Sequence, residues 1–186
     1  GEQSVAGLDT KRPEVQFYLG QVYLRGRLGA AYDQKQGHLW LLKAAKQDYP
    51  PAQYMWGSVL DQGEGIVADN QQARRWITKA AEKGFRKAQL YLAAIYKYGK
   101  GVEPDPQKMA FWLDQATRSM PFKQDGNLKR QVLEVVMAKE NQAHGHEHLE
   151  MATRYLSGSP NSDGSPVRVD IYKAISSMTQ AARQGQ

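Results

Sequence analysis

The stretch AQYMWGSVLDQGEGIVADNQQARRWITKAAEKG, residues 52–84, contains two helical patterns separated by a glycine-rich turn. In its first half, apolar residues recur at the three- and four-residue spacing of an amphipathic helix. Gly63 and Gly65 then end that helix, because glycine readily adopts the left-handed backbone found at helix ends. Asp69 is suited to cap a second helix, and Gly84 ends it. The stretch therefore predicts a pair of helices joined by a tight turn.

The same arrangement recurs about every 36 residues along the chain. Tryptophans, capping aspartates and small residues carry the period: Trp40, Trp76 and Trp112; Asp33, Asp69 and Asp105; Gly20, Gly57 and Ala93. A fourth, weaker copy includes Ala152 and has Ser177 in place of the tryptophan. One helix pair cannot bury its apolar face alone, so the copies must stack on one another. The period therefore predicts an all-α repeat protein.

The repeat boundaries follow from this alignment. We place the repeats within a single domain, residues 1–186, at about 14–50, 51–86, 87–121 and 147–185. Residues 122–146 interrupt the period. Asp125 and Gly126 indicate a helix start, and apolar residues follow at helical spacing to about residue 140. We therefore expect one inserted or elongated helix in this irregular segment.

Composition and charge indicate which classes of partner to expect. The net charge is +6, but no five like charges stand in a row. Nucleic-acid-binding proteins usually concentrate their cations on one face. We therefore expect a protein or peptide partner, with an acidic surface favoured, and no nucleic acid. No apolar run approaches the roughly 20 residues of a membrane-spanning helix, and the chain has no cysteine for disulfides or thiolate chemistry.

No arrangement of residues predicts catalysis. The three periodic aspartates lie at helix starts on separate repeats, so they indicate caps and not a converging acid–base pair. Gly63–Gly65 lies between two helices, whereas a phosphate loop follows a strand. His144 and His148 could share a helix face, as zinc ligands do, but Gly145 weakens a helix there and no third ligand is evident. We favour a solvated turn, and expect no catalytic residue, metal or cofactor.

The tryptophans divide into two groups. The three periodic tryptophans are predicted to lie in the core between repeats, because they recur with the helix pairs. Trp56 is off that register, so the sequence leaves both a core and a surface position open for it.

The full motif resembles the Sel-one-like repeat, a relative of the tetratricopeptide repeat. Residues 14–121 carry the resemblance well and residues 147–185 carry it in part. In the second copy it rests on Ala52, Gly57, Gly63, Gly65, Asp69, Trp76, Lys79, Ala80, Ala81 and Gly84. The resemblance implies a right-handed α-solenoid of antiparallel helix pairs with a concave face. It also implies an adaptor, often in bacterial envelope assembly, secretion, signalling or host contact.

The resemblance also places a binding groove. In the tetratricopeptide architecture the first helix of each pair lines the concave face, and the small residue at Gly20, Gly57, Ala93 or Ala152 packs inward. Positions around that residue should then bind the partner: Phe17, Gln21 and Arg25; Tyr54, Ser58, Asp61 and Gln62; Leu90, Lys97 and Tyr98; Leu149, Thr153 and Ser157. The alternative is an ordinary half-exposed helix face.

Three functions remain open at this point. We favour a non-enzymatic module that binds a protein in its groove, such as an immunity or accessory factor for a secreted bacterial effector. A structural scaffold for envelope assembly and an enzyme acting on the cell wall are the alternatives. A bacterial periplasmic or envelope-associated location is favoured, with the export signal absent from this fragment. The oligomeric state is open.

Overall fold

The structure, a computed structural model, describes residues 7–25, 33–139, 179, 180 and 183. The chain divides into two compact units, Gly1–Leu133 and Glu134–Gln186. The repeats described below lie in the first unit. The expectation of one continuous domain over residues 1–186 stays a prediction.

The first unit is built from helix pairs, as the repeat pattern predicted. Its helices, of thirteen residues each, are α1 Pro13–Arg25, α2 Gln34–Lys46, α3 Pro50–Gln62, α4 Asn70–Glu82, α5 Arg86–Tyr98 and α6 Pro106–Arg118. Within each pair the first helix packs along the second, and α2 and α4 also contact the first helix of the next pair. The fold is therefore an all-α repeat solenoid, and the predicted class is confirmed.

The turns within the second and third pairs are formed as the sequence predicted. Gly63 and Gly65 both have a φ of 70°, in the left-handed region that a residue with a side chain rarely occupies. The Asp69 carboxylate accepts a hydrogen bond from the backbone N–H of Gln72 at 2.9 Å, which satisfies one free donor of α4. The three periodic aspartates all cap helices in this way. Their role is therefore structural.

Small residues set the distance between the helices of a pair. A Cβ added at Gly57 of α3 would lie 2.5 Å from the Cγ1 atom of Ile77 and 3.0 Å from the Ala73 carbonyl oxygen. Both atoms belong to α4. Such a contact is far inside van der Waals distance, so the helices could not approach this closely with a larger residue.

The tryptophans depart from the prediction. Trp40, Trp76 and Trp112 are half-buried and not enclosed in the core. In the first two repeats a lysine one turn later covers the exposed ring, with Lys79 Nζ 4.9 Å from the Trp76 centroid. This cation–π contact follows from the i, i+3 spacing on one helix. Trp56 is only 8% exposed and packs edge-on against His38, so the core position is the correct one for it.

A buried glutamine links each repeat to the one before. The side-chain amide of Gln53 donates to the carbonyl of Ala45 at 3.2 Å, and Gln89 donates to Ala81 at 3.1 Å. Each joins a first helix to the second helix of the preceding pair. Residues 47, 83 and 119, at the ends of the second helices, donate in turn to the glutamine oxygens of their own repeats. The Ala-Gln pair therefore recurs in the sequence, as Ala52-Gln53 and Ala88-Gln89, because its glutamine belongs to a hydrogen-bond ladder between helices.

The helix expected in the irregular segment, residues 122–146, is present after α6, and it follows Asp125 as the sequence predicted. Residues 120–125 have no regular secondary structure, residues 126–139 are helical, and residues 140–146 lie outside the described part. Asp125 caps the helix start, accepting from the backbone N–H of Leu128 at 3.1 Å. Leu128, Val132 and Val136 are buried at a four-residue spacing. We call residues 120–125 the strap.

Candidate protein-binding surface

The residues predicted to line the groove differ in exposure from repeat to repeat. Phe17 and Gln21 of α1 are buried, Tyr54, Ser58 and Asp61 of α3 are half-buried, and Leu90, Lys97 and Tyr98 of α5 are exposed. Arg25 and Gln62, at the ends of their helices, are also exposed. Leu149, Thr153 and Ser157 lie outside the described residues. The described part of the predicted face therefore becomes more accessible from α1 to α5.

Phe17 and Gln21 are each only 2% exposed, so neither presents its side chain directly to solvent. The Phe17 ring lies 5.5 Å from the ring of Tyr49 and 6.3 Å from that of Phe122. Phe122 belongs to the strap, which returns along this side of the molecule from the end of α6. The Tyr18 hydroxyl accepts a hydrogen bond from the backbone N–H of Asp125 at 2.7 Å. The chain itself therefore occupies this part of the face.

Four predicted residues do come together between the first two repeats. Gln21, Arg25, Ser58 and Gln62 line one cavity of about 200 Å³. The Gln21 side-chain oxygen is buried there without a hydrogen-bond partner. The Ser58 hydroxyl donates to the Tyr54 carbonyl at 3.0 Å, which leaves its lone pairs as acceptors. The cavity is small, and both polar and apolar side chains line it.

Asp61 and Tyr54 serve a contact between repeats. The Asp61 carboxylate accepts hydrogen bonds from the Tyr91 hydroxyl and, at 2.9 Å, from Lys100 Nζ. Burial raises the pKa of Asp61, but the hydrogen bonds from Tyr91 and Lys100 outweigh it and hold that pKa below its usual range. The pKa of Tyr91 is raised, first by burial and then by its bond to Asp61. The Tyr54 ring packs between Phe85 and Tyr91.

Among the described residues predicted to line the groove, the exposed apolar side chains lie on α5. Leu90 is 46% exposed and Tyr98 is 73% exposed, at positions i and i+8 of the same helix. Lys97 Nζ lies 5.1 Å from the centroid of the Tyr98 ring. We call Leu90, Lys97 and Tyr98 the α5 stripe. An exposed aromatic ring, an aliphatic side chain and a cation on one helix are the combination that protein interfaces favour.

The described residues bring together no cluster of three or more histidine, aspartate or glutamate side chains that could hold a metal ion. The histidines His144 and His148 lie outside this part of the chain. None of the helices in residues 7–139 is long and apolar enough to cross a membrane.

Sequence reasoning missed several residues of this surface. Tyr91 and Lys100, which bind Asp61, are replaced by Met55 and Glu64 in the second copy, so aligning the copies does not identify them. Phe122 is not identified either, since the strap lies where the period is broken.

Comparison with known protein families gives four matched ranges that agree closely with the predicted repeats. The Sel1 repeat model matches residues 13–49, 50–85, 86–119 and 148–186, within two residues of the predicted limits. A Sel1 repeat protein from Oxalobacter formigenes is 31% identical, covering 55% of this chain and 78% of that chain, with a TM-score of 0.52. None of the curated proteins matches the chain.

A second solved structure is similar over most of the chain. It is a protective antigen present in uropathogenic Escherichia coli strains, which displays an SLR fold. The identity is 22%, over 95% of this chain and 47% of that chain, with a TM-score of 0.55. This likeness shows the fold alone, and the chain spans about half the length of that antigen.

Proposed function

Because the chain belongs to the Sel1 repeat family, we propose that it is a non-enzymatic scaffold that binds another protein through the α5 stripe. The observation that carries the proposal is the exposure of Leu90 and Tyr98 on a helix whose other face is fully packed. Leu92 and Ile95, on that other face, are buried in the cluster around Ile77 and Phe85. The stripe therefore adds little to folding and is available for a partner.

The geometry supports binding of a partner without a change in the position of α5. The hydrogen-bond ladder and the Asp61–Tyr91 contact fix the position of α5 against α3 and α4. A rigid helix that presents an aromatic ring loses little conformational entropy on binding. The scaffold would bind its partner non-covalently and act by covering part of the partner's surface, with no covalent bond made or broken.

The finer roles are part of the same proposal. An immunity or accessory factor for a secreted bacterial effector would cover its partner with this face. A structural scaffold in the bacterial envelope, which is the alternative, would hold several subunits. A protein-binding stripe is common to both, and the number of captured partners distinguishes them.

Affinity capture from the source bacterium tests the proposal. The bait is the full chain, beside a variant with Leu90→Ser, Lys97→Ser and Tyr98→Ser, and a control with Val67→Ser. Val67 is an exposed apolar residue outside the stripe. We expect a stoichiometric protein partner for the wild type and the control. Loss of an interface anchor worth about 2 kcal/mol weakens binding roughly thirtyfold in the stripe variant.

The substituted side chains are exposed, so the free energy of unfolding should change by about 0.5 kcal/mol at most. Circular dichroism checks that the variants are folded. Equal capture by the wild type and the stripe variant would contradict the proposal.

A further inference from the structure

A second cavity between the first two repeats has a composition that the repeat pattern does not explain. It measures about 420 Å³ and is lined by α2, α3 and α4. Two indole rings, Trp56 and Trp76, form part of its wall. Three cations, Lys46, Arg75 and Lys79, also line it, and no acidic side chain does.

The cations are a property of this interface and not of the fold. The positions 36 residues further on, between the second and third repeats, carry Glu82, Phe111 and Gln115 in place of the three cations. Lys108, in place of Gln72, is the one cation of that later set. The same backbone geometry therefore occurs without this positive charge, and stacking of the repeats does not require it.

Trp56, one of the two tryptophans that line the cavity, is also an exception to the repeat. Leu19 and Leu92 occupy the positions equivalent to Trp56 in the first and third copies. Trp56 is 8% exposed, and its indole N–H is buried without a hydrogen-bond acceptor. A buried donor without a partner lowers stability by about 1–3 kcal/mol. Leucine stands at this position in the first and third copies, so the repeat fold does not itself require an indole here.

The cations are available to a ligand. Among the described residues, Lys46 and Arg75 form no ion pair. Lys79 lies over the Trp76 ring, and Asp48, which interacts electrostatically with Lys79, is already paired with Lys83 Nζ at 3.0 Å. Positive charge around an apolar, aromatic wall attracts a group that is anionic and partly apolar.

We infer that this cavity is a docking site for an acidic segment of a protein partner, in which carboxylates flank an apolar side chain. The carboxylates lie against Lys46, Arg75 and Lys79, and the apolar side chain lies against the indoles. The inference deepens the proposed function by adding a second contact on different helices and by fixing the charge of the partner. Its occupant is peptidic, because the repeat fold is typical of protein-interaction modules and the positive charge of the chain is spread along it, not concentrated as in a nucleic-acid-binding protein.

Direct titration of the cavity tests this without knowledge of the partner. The probe is a blocked five-residue peptide that alternates glutamate and leucine. The readout is the indole N–H resonance of Trp56 in the ¹⁵N-labelled full chain, assigned as the resonance that Trp56→Leu removes. We expect that resonance to shift in a saturable way at low millimolar peptide, and the shift to weaken at high salt.

Matched variants make the test specific to the cavity. Lys46→Gln, Arg75→Gln and Lys79→Gln together should weaken binding roughly tenfold. Lys11→Gln, Lys35→Gln and Lys87→Gln remove the same charge from exposed positions outside the cavity lining and should leave binding unchanged. A peptide with lysine in place of glutamate should produce no shift.

Three results would overturn the inference. One is no movement of the Trp56 resonance, and another is equal weakening by both triple variants. The third is an equal shift with acetate or phosphate alone, which would make the cavity a small-anion site. Because the readout is local to Trp56, each of these results leaves the α5 stripe untouched. A failed capture through the stripe likewise leaves this titration valid.

Discussion

At the level of single residues, Asp61 shows how a side chain predicted to meet a partner serves the fold. Its carboxylate lies between Tyr91 and Lys100 of the next repeat, and the side chain is only 9% exposed. The alignment of copies placed Asp61 on the correct helix face. It could not show that Asp61 contacts the following repeat, because that contact depends on the side chains that the following repeat places beside it.

Replacing Asp61 with asparagine should therefore lower stability in a pH-dependent way. The folded-state pKa of Asp61 is below its usual range, so the carboxylate stabilises the fold above the unfolded pKa of about 3.9 and loses that effect as the pH falls through the folded pKa. We expect Asp61→Asn to lower the free energy of unfolding at pH 7 by about 1 kcal/mol, after allowing for the exposed Lys100.

Urea unfolding at pH 7 and at pH 3 measures this difference, which should shrink at the lower pH. Asp114→Asn is the control, because Asp114 pairs with Arg118 on the exposed surface of α6 and should change stability by less than about 0.5 kcal/mol. A pH-independent loss for Asp61→Asn, or an equal loss for the control, would show that the carboxylate does not act in this way.

At the level of elements, local patterns predicted the helices, their caps and their turns, whereas contacts between repeats were only partly visible. Capping aspartates and left-handed glycines act within a few residues of one another, so sequence spacing is enough to identify them. The Ala-Gln recurrence was visible, but its hydrogen bonds connect residues eight positions apart on different helices. The strap follows no period, because its contacts with Phe17 and Tyr18 depend on tertiary structure.

The glutamine ladder should contribute measurably to stability. Gln53 is fully buried, and Gln53→Ala leaves the Ala45 carbonyl without its side-chain donor and opens a small cavity. We expect the free energy of unfolding to fall by about 1–3 kcal/mol in urea denaturation. Gln71→Ala, at an exposed position of α4, should change it by less than about 0.5 kcal/mol. Equal effects of the two substitutions would contradict a structural role for the ladder.

At the level of the whole molecule, the period alone was enough to predict the fold class and the repeat limits. Four copies of one motif leave few alternative folds, since stacking is the only way to bury their apolar faces. The function is less determined, because the same stacking supports many partners. What distinguishes this chain is where it departs from its own repeat: the exposed stripe on α5, and the tryptophan and cations between α2 and α4.

Site-specific photo-cross-linking in the source organism tests the central claim, that the α5 stripe contacts a protein, most directly. A photo-reactive phenylalanine analogue replaces Tyr98 or Leu90, and replaces Val67 as the control. The account predicts one discrete cross-linked protein from positions 98 and 90 and none from position 67. No adduct at positions 98 and 90, or the same adducts at all three positions, would contradict it.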